Sequence, residues 1–165
     1  MSRPALVLVG PPGAGKTTVG KLAAARLGLP FRDTDNDVEA AAGKSIPDLF
    51  FAEGEEHFRE LEREAVRRAL LEHDGVLSLG GGAVLSEATR GLLTGHRVVF
   101  LSVSLGDATK RVGLSAARPV LAINPRAQLQ VLLAERLPLY QHVAQREVAT
   151  DGKTPAQVLD EVLAP

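Results

Sequence analysis

The sequence predicts an α/β domain in three layers, with helices on both faces of a parallel five-stranded sheet. Three observations point there. Short apolar runs alternate with amphipathic stretches along the chain. The first run, ALVLV (5–9), is continuously apolar, as a strand buried on both faces must be. The chain has 165 residues, enough for one sizeable core, with no repeat, linker or low-complexity segment to divide it. Residues 1–165 therefore read as a single domain.

After strand 5–9, GKTTVGKLAAARLG (15–28) reads as a helix with Val19, Leu22, Ala23 and Leu27 on one face and Gly28 at its C-cap. PFRDTD (30–35) reads as a short second strand. In 55–73, Phe58, Leu61, Ala65, Ala69 and Leu70 make one apolar stripe among charges, the mark of an amphipathic helix. GVLSL (75–79), RVVFLSV (97–103) and EVAT (147–150) supply the remaining strands, and helical patterns at 86–94, 105–112, 126–135 and 154–163 fill the gaps. The stretch 113–127 is the least regular; its glycine, two prolines and small residues suggest a mobile loop. Parallel sheets of this kind bind ligands at the carboxyl ends of their strands.

Composition excludes several functions. A net charge of −1 and a single tyrosine with no tryptophan give no nucleic-acid surface. The absence of cysteine excludes disulfides and thiolate metal sites, and the histidines at 57, 73, 96 and 142 lack metal-ligand spacing. No signal peptide and no apolar run of transmembrane length is evident, so a cytoplasmic protein without membrane contact is expected.

GPPGAGKT (10–17) matches G-x-x-x-x-G-K-[ST] between a strand and a helix, the context the motif requires. Backbone N–H groups of such a loop wrap phosphate oxygens, and the helix N-terminus adds partial positive charge. Lys16 reaches the outer phosphates and the Thr17 hydroxyl ligates Mg²⁺, so ATP and Mg²⁺ are the expected ligands of Gly13, Ala14, Gly15, Lys16, Thr17 and Thr18. A dinucleotide loop is disfavoured, because Thr18 stands where a third glycine would be needed.

DTDND (33–37) places acid at the carboxyl end of the second strand, with Asp33 and Asp35 on one side if the strand runs through both. Strand 75–79 lacks the acid that usually approaches the metal, which makes Asp33 the substitute. The competing reading has Asp35 or Asn36 capping a helix that starts near Val38. The run Gly80, Gly81, Gly82 ends what reads as the central strand. Substrate lying on bare backbone would explain it, and so would a bulge or tight turn. Arg59, Arg118 and Arg136 suit an acidic substrate, although each alone reads as a solvated residue.

Over almost its whole length the chain resembles the shikimate kinase family, through GPPGAGKTT (10–18), DTD (33–35), GEEHFRELE (54–62), LGGGAV (79–84), RP (118–119) and RLPLY (136–140). The resemblance implies transfer of the ATP γ-phosphoryl group to the 3-hydroxyl of shikimate, on the route to chorismate and aromatic amino acids, by a P-loop kinase fold. It implies a mobile lid at about 113–127 and a substrate-binding helical region at about 34–62. Lys16 would stabilise the transferring group; Thr17 and Asp33 would serve the metal; Asp35 would bind the shikimate hydroxyls and orient or deprotonate the acceptor. Arg59, Arg136 and the Gly80–Gly82 backbone would hold shikimate, with both arginines on its carboxylate, and Phe50 and Phe58 would wall the ring. Arg118 would arrive on the lid, and Arg111 and Pro155 would flank adenine. Partners would be these small molecules alone, and a monomer is expected. Two other readings stay open: a related small-molecule kinase such as a gluconate kinase, and a nucleotide-binding switch with no acceptor.

Overall fold

The computed structural model describes residues 3–107 and 125–165. Five strands, β1 (Leu6–Val9), β2 (Phe31–Asp33), β3 (Val76–Ser78), β4 (Val98–Ser102) and β5 (Arg146–Ala149), form one parallel sheet in the order β2-β3-β1-β4-β5. The central strand is β1, not the glycine-terminated β3, which lies between β1 and β2. Both strands are buried at every residue, so composition does not distinguish them; the pairing does, with β1 bonded to β3 on one side and β4 on the other.

Alternation along the strands feeds two cores. Val7, Val9, Leu77, Val98 and Phe100 face one layer, made by α3 (Ile46–Glu72), through Val66, Ala69 and Leu70, and α5 (Pro125–Val143), through Tyr140 and Val143. Leu6, Leu8, Val76, Val99 and Leu101 face the other, made by α1 (Lys16–Leu27), through Val19, Ala23 and Ala24, and α6 (Pro155–Val162), through Val158, Leu159 and Val162. The described residues also hold two shorter α-helices, α2 (Thr34–Ala42) after β2 and α4 (Glu87–Leu92) before β4, a 3-10 turn at Ala83–Leu85 and helical residues at 105–107.

Three expectations need correction. The buried face of α1 is Val19, Gly20, Ala23 and Ala24, while Leu22 and Leu27 remain 39% and 41% exposed. Small residues let this helix lie close on the sheet: a Cβ added at Gly20 would run into the Phe31 ring. The second strand stops at Asp33, because Asp33 caps α2 by accepting the Asp35 N–H at 2.9 Å. The helix expected at 55–73 holds over 55–72; a further helical segment, 46–53, precedes it within α3 across a kink at Gly54, whose φ of 85° suits glycine. The helix expected at 126–135 continues to Val143, passing through Pro138 without a break. Its tertiary contacts outweigh the lost backbone donor, since Leu129, Tyr140 and Val143 are all buried. The predicted lid lies outside the described residues except for 125–127, which open α5, and so does most of the helix expected at 105–112.

Overpacking the α1–β2 contact tests this arrangement. Gly20→Val is expected to cost about 1–3 kcal/mol, seen as a lower urea midpoint at unchanged slope.

Candidate active site

The phosphate loop takes its shape from glycines in conformations that other residues resist. Gly10, Gly13 and Gly15 have φ of 154°, 83° and 91°. At Gly10 space is also short, for an added Cβ would lie 2.5 Å from the Leu101 carbonyl oxygen. Gly15 caps α1 with no side-chain cap bond, and the first turn of α1 carries no acid. The partial positive charge of that helix end is therefore unopposed from within the helix, which favours an anion. Lys16 folds over the loop, its Nζ donating to the Gly10 and Pro11 carbonyls at 2.7 and 3.0 Å. Ala14 is buried, so its contribution to a ligand would come from backbone.

Across the cleft, the Thr17 hydroxyl donates to Asp33 Oδ2 at 3.3 Å. Asp33 thus divides its oxygens, one toward Thr17 and one to the Asp35 N–H. Asp35 sits in the first turn of α2, so it does not share a strand face with Asp33. Both line the cleft nonetheless, together with Gly13, Lys16, Thr17 and Gly80. The chain between them is pinned to β3 by buried Thr34, whose Oγ1 accepts the Gly80 N–H at 3.2 Å.

The triple glycine has a separate cause at each position, and none of the three has a positive φ. A Cβ at Gly80 would lie 2.5 Å from Asp35 Oδ1 and 2.9 Å from Glu62 Oε2. One at Gly81 would lie 3.0 Å from Pro12 Cδ of the phosphate loop, and one at Gly82 would overlap the Arg59 guanidinium. The run also makes a tight turn, with the Ala83 N–H donating to the Gly80 carbonyl at 3.1 Å. Turn and close approach coincide here.

Beyond the glycines lies a charged pocket. Arg59 NH1 donates to Glu62 at 2.8 Å, and its NH2 reaches Glu55 at 3.4 Å. The guanidinium also stands 5.0 Å from the centre of the Phe58 ring. The Glu62 side chain is only 4% exposed. Burial pushes its carboxyl above the usual range, and the charges of Arg59 and Arg136 pull it back. Arg136, on α5, is itself buried. Two largely buried guanidiniums flank one buried carboxylate, with the exposed Glu55 at the rim, and such a pair suits an anionic group held by charged donors.

The structure therefore gathers Gly13, Gly15, Lys16, Thr17, Thr18, Asp33, Asp35, Gly80 and Gly81 on one cleft, with Gly82, Arg59 and Arg136 beside it. Phe50 and Phe58 pack together at 4.9 Å, and Phe58 belongs to the core between α2 and α3. Pro155 does not line the cleft; it opens α6 beside a Thr154–Gln157 capping box. Arg111 and Arg118 lie outside the described residues. Sequence reasoning gave no role to Glu62 or Thr34. The i,i+3 spacing of Arg59 and Glu62 on a helix was the available signal for the first.

A parallel sheet with this phosphate loop, an adjacent acid pair and a cationic pocket defines a P-loop kinase of small molecules. The shikimate kinase family model matches residues 12–165. A shikimate kinase from Salinispora arenicola is 62% identical over 161 residues, covering 98% of this chain and 96% of that protein. The shikimate kinase of Acinetobacter baumannii, solved in complex with shikimate, superposes with a TM-score of 0.93 at 34% identity, covering 99% of this chain and 92% of that one. A gluconokinase from Sinorhizobium meliloti, with a TM-score of 0.58 and 18% identity, shares the fold alone. The chain belongs to the shikimate kinase family.

Tyr140 offers a clean test of the pocket's burial, since it is the single tyrosine of the chain. Burial raises its phenol from 10.0 to about 12, against the opposing charge of Arg136. The folded value lies above the unfolded one, so this stabilisation is full below pH 10 and is lost as pH rises toward 12. Tyrosinate absorbance of the native enzyme should stay near zero at pH 10, where the urea-unfolded chain is half ionised.

Proposed function

We propose that this cleft transfers the γ-phosphoryl group of ATP to the 3-hydroxyl of shikimate, giving shikimate 3-phosphate and ADP. One observation carries the reading: the cleft is polar along its length. The phosphate loop and Asp33 occupy one end, Asp35 and Gly80 the middle, and Arg59, Glu62 and Arg136 the other end. A ring with a carboxylate on one side and hydroxyls on the other fits that order. Its carboxylate would lie on Arg59 and Arg136, its face on the bare backbone of Gly80–Gly82, and its acceptor hydroxyl at Asp35.

The residues then divide the work. Loop N–H groups and the α1 N-terminus hold the triphosphate, and Lys16, released from the loop carbonyls, follows charge onto the moving phosphoryl group. Asp35 orients the hydroxyl, whose oxygen forms the new bond to phosphorus as the bond to the ADP oxygen breaks; the hydroxyl proton leaves to Asp35 or to water. Thr17 and Asp33 fit a hard cation, being two oxygen donors beside the loop. Among the described residues no group of three or more histidine or acidic side chains gathers to hold a metal by itself. That matches Mg²⁺, which takes few protein ligands and shares phosphate and water. When bound, Mg²⁺ neutralises charge on the outer phosphates. Arg118 and Arg111 are assigned to the phosphates and adenine, with Pro155 flanking the base. The enzyme is proposed to work in the cytoplasm as a monomer; among the described residues no helix is long and apolar enough to cross a membrane.

The test is ADP release with Mg-ATP, alone, with shikimate and with gluconate. Shikimate-dependent release yielding a phosphorylated acid supports the assignment; release indifferent to shikimate defeats it. Two variants assign roles. Arg136→Ala should raise the shikimate KM at least about a hundredfold, since it strips one partner from a buried charged site, while the ATP KM stays within about threefold. Lys16→Ala should instead lower kcat by about 10²–10³-fold, the usual loss when a transition-state donor is removed.

A further inference from the structure

We propose that Tyr140 is a positioning residue for the acceptor site, its hydroxyl tying the Arg136 guanidinium to the Gly81 carbonyl. The proposal rests on the reading of Arg136 as the clamp for the acceptor carboxylate. Tyr140 follows Arg136 by four residues on α5, so the two side chains share a helix face. Its hydroxyl donates to the Gly81 carbonyl oxygen at 2.6 Å. Arg136 lies near the same phenol, its charge opposing the rise that burial causes in the ionisation of that hydroxyl.

The direction of this chain is fixed by chemistry. A guanidinium can only donate and a carbonyl can only accept. The observed bond commits the hydroxyl's one proton to Gly81, so in the proposed link the same oxygen accepts from Arg136. The ring is held independently, stacked 4.9 Å from Phe100 in the core that α5 shares with the sheet. Ring and hydroxyl thus serve different ends: the ring anchors α5, and the hydroxyl sets the distance between the arginine and the glycine backbone. Those two features receive opposite sides of the acceptor in the reading above. A phenol that stays protonated keeps the link through the working pH range, because burial moves its ionisation well above neutrality.

Tyr140→Phe keeps the ring and removes the link. The expected result is a shikimate KM raised about tenfold, an ATP KM within about twofold, and a loss in kcat/KM that lies mostly in KM. In an Arg136→Ala background the same change should add little, since its effect passes through the arginine. An unchanged shikimate KM in Tyr140→Phe, or an equal effect in both backgrounds, overturns the proposal. An unchanged shikimate KM in Arg136→Ala defeats the clamp reading instead, so the two failures are distinguishable. Should Tyr140→Phe fail to fold, the unmutated enzyme grown with 3-fluorotyrosine carries one fluorine-labelled site, there being a single tyrosine. Its ¹⁹F resonance should shift on titration with shikimate and lose that response in Arg136→Ala. A resonance unmoved by saturating shikimate overturns the proposal.

Discussion

The site depends on the level at which three parallel strands end. Ser78 of β3 is in register with Leu8 of β1 on one side and with Asp33 of β2 on the other. Each strand then releases its chain at the same edge: β1 into the phosphate loop, β2 into Asp33 and Asp35, β3 into the triple glycine. Parallel pairing permits this because every strand points its carboxyl end the same way. A one-residue slip of β3 would turn its core side chains to the wrong face, so the burial of Val76 and Leu77 also fixes the site.

Close approach follows from that convergence. Three loops share a small volume, and the shared wall has to be thin. Asp35 and Glu62 press on Gly80, Pro12 on Gly81 and Arg59 on Gly82. The glycines are required by what packs against them rather than by their own backbone angles. Thr34 and Tyr140 then satisfy the backbone polar groups that the run exposes, one at the Gly80 N–H and one at the Gly81 carbonyl. A backbone seat without such partners would leave buried polar groups unsatisfied.

Charge is distributed unevenly across the same edge. Asp33 accepts from Thr17 and from the backbone of Asp35, which holds it in place beside the loop. Glu62 is buried with two arginines, and its ionisation is opposed by desolvation and supported by them. Glu55 and Glu62 thereby orient the Arg59 guanidinium, and the two arginines offer charged donors to an entering carboxylate.

The sequence by itself determined the fold class, the phosphate loop and most of the elements. Apolar runs buried on both faces leave one solution, and G-x-x-x-x-G-K-T between a strand and a helix is a local instruction. Lys16, Thr17 and Asp33 could be placed together because their positions follow from chain order in such a sheet. The tertiary structure alone decided which strand is central and that α5 runs on through Pro138. These depend on packing partners distant in sequence. It also decided that Arg59, Arg136, Glu62 and Tyr140 meet at the glycines: residues from two helices, more than 70 positions apart, share a pocket because both helices pack on the same face of the sheet. Spacing along a chain carries no information about such a meeting, and only the packed core brings it about.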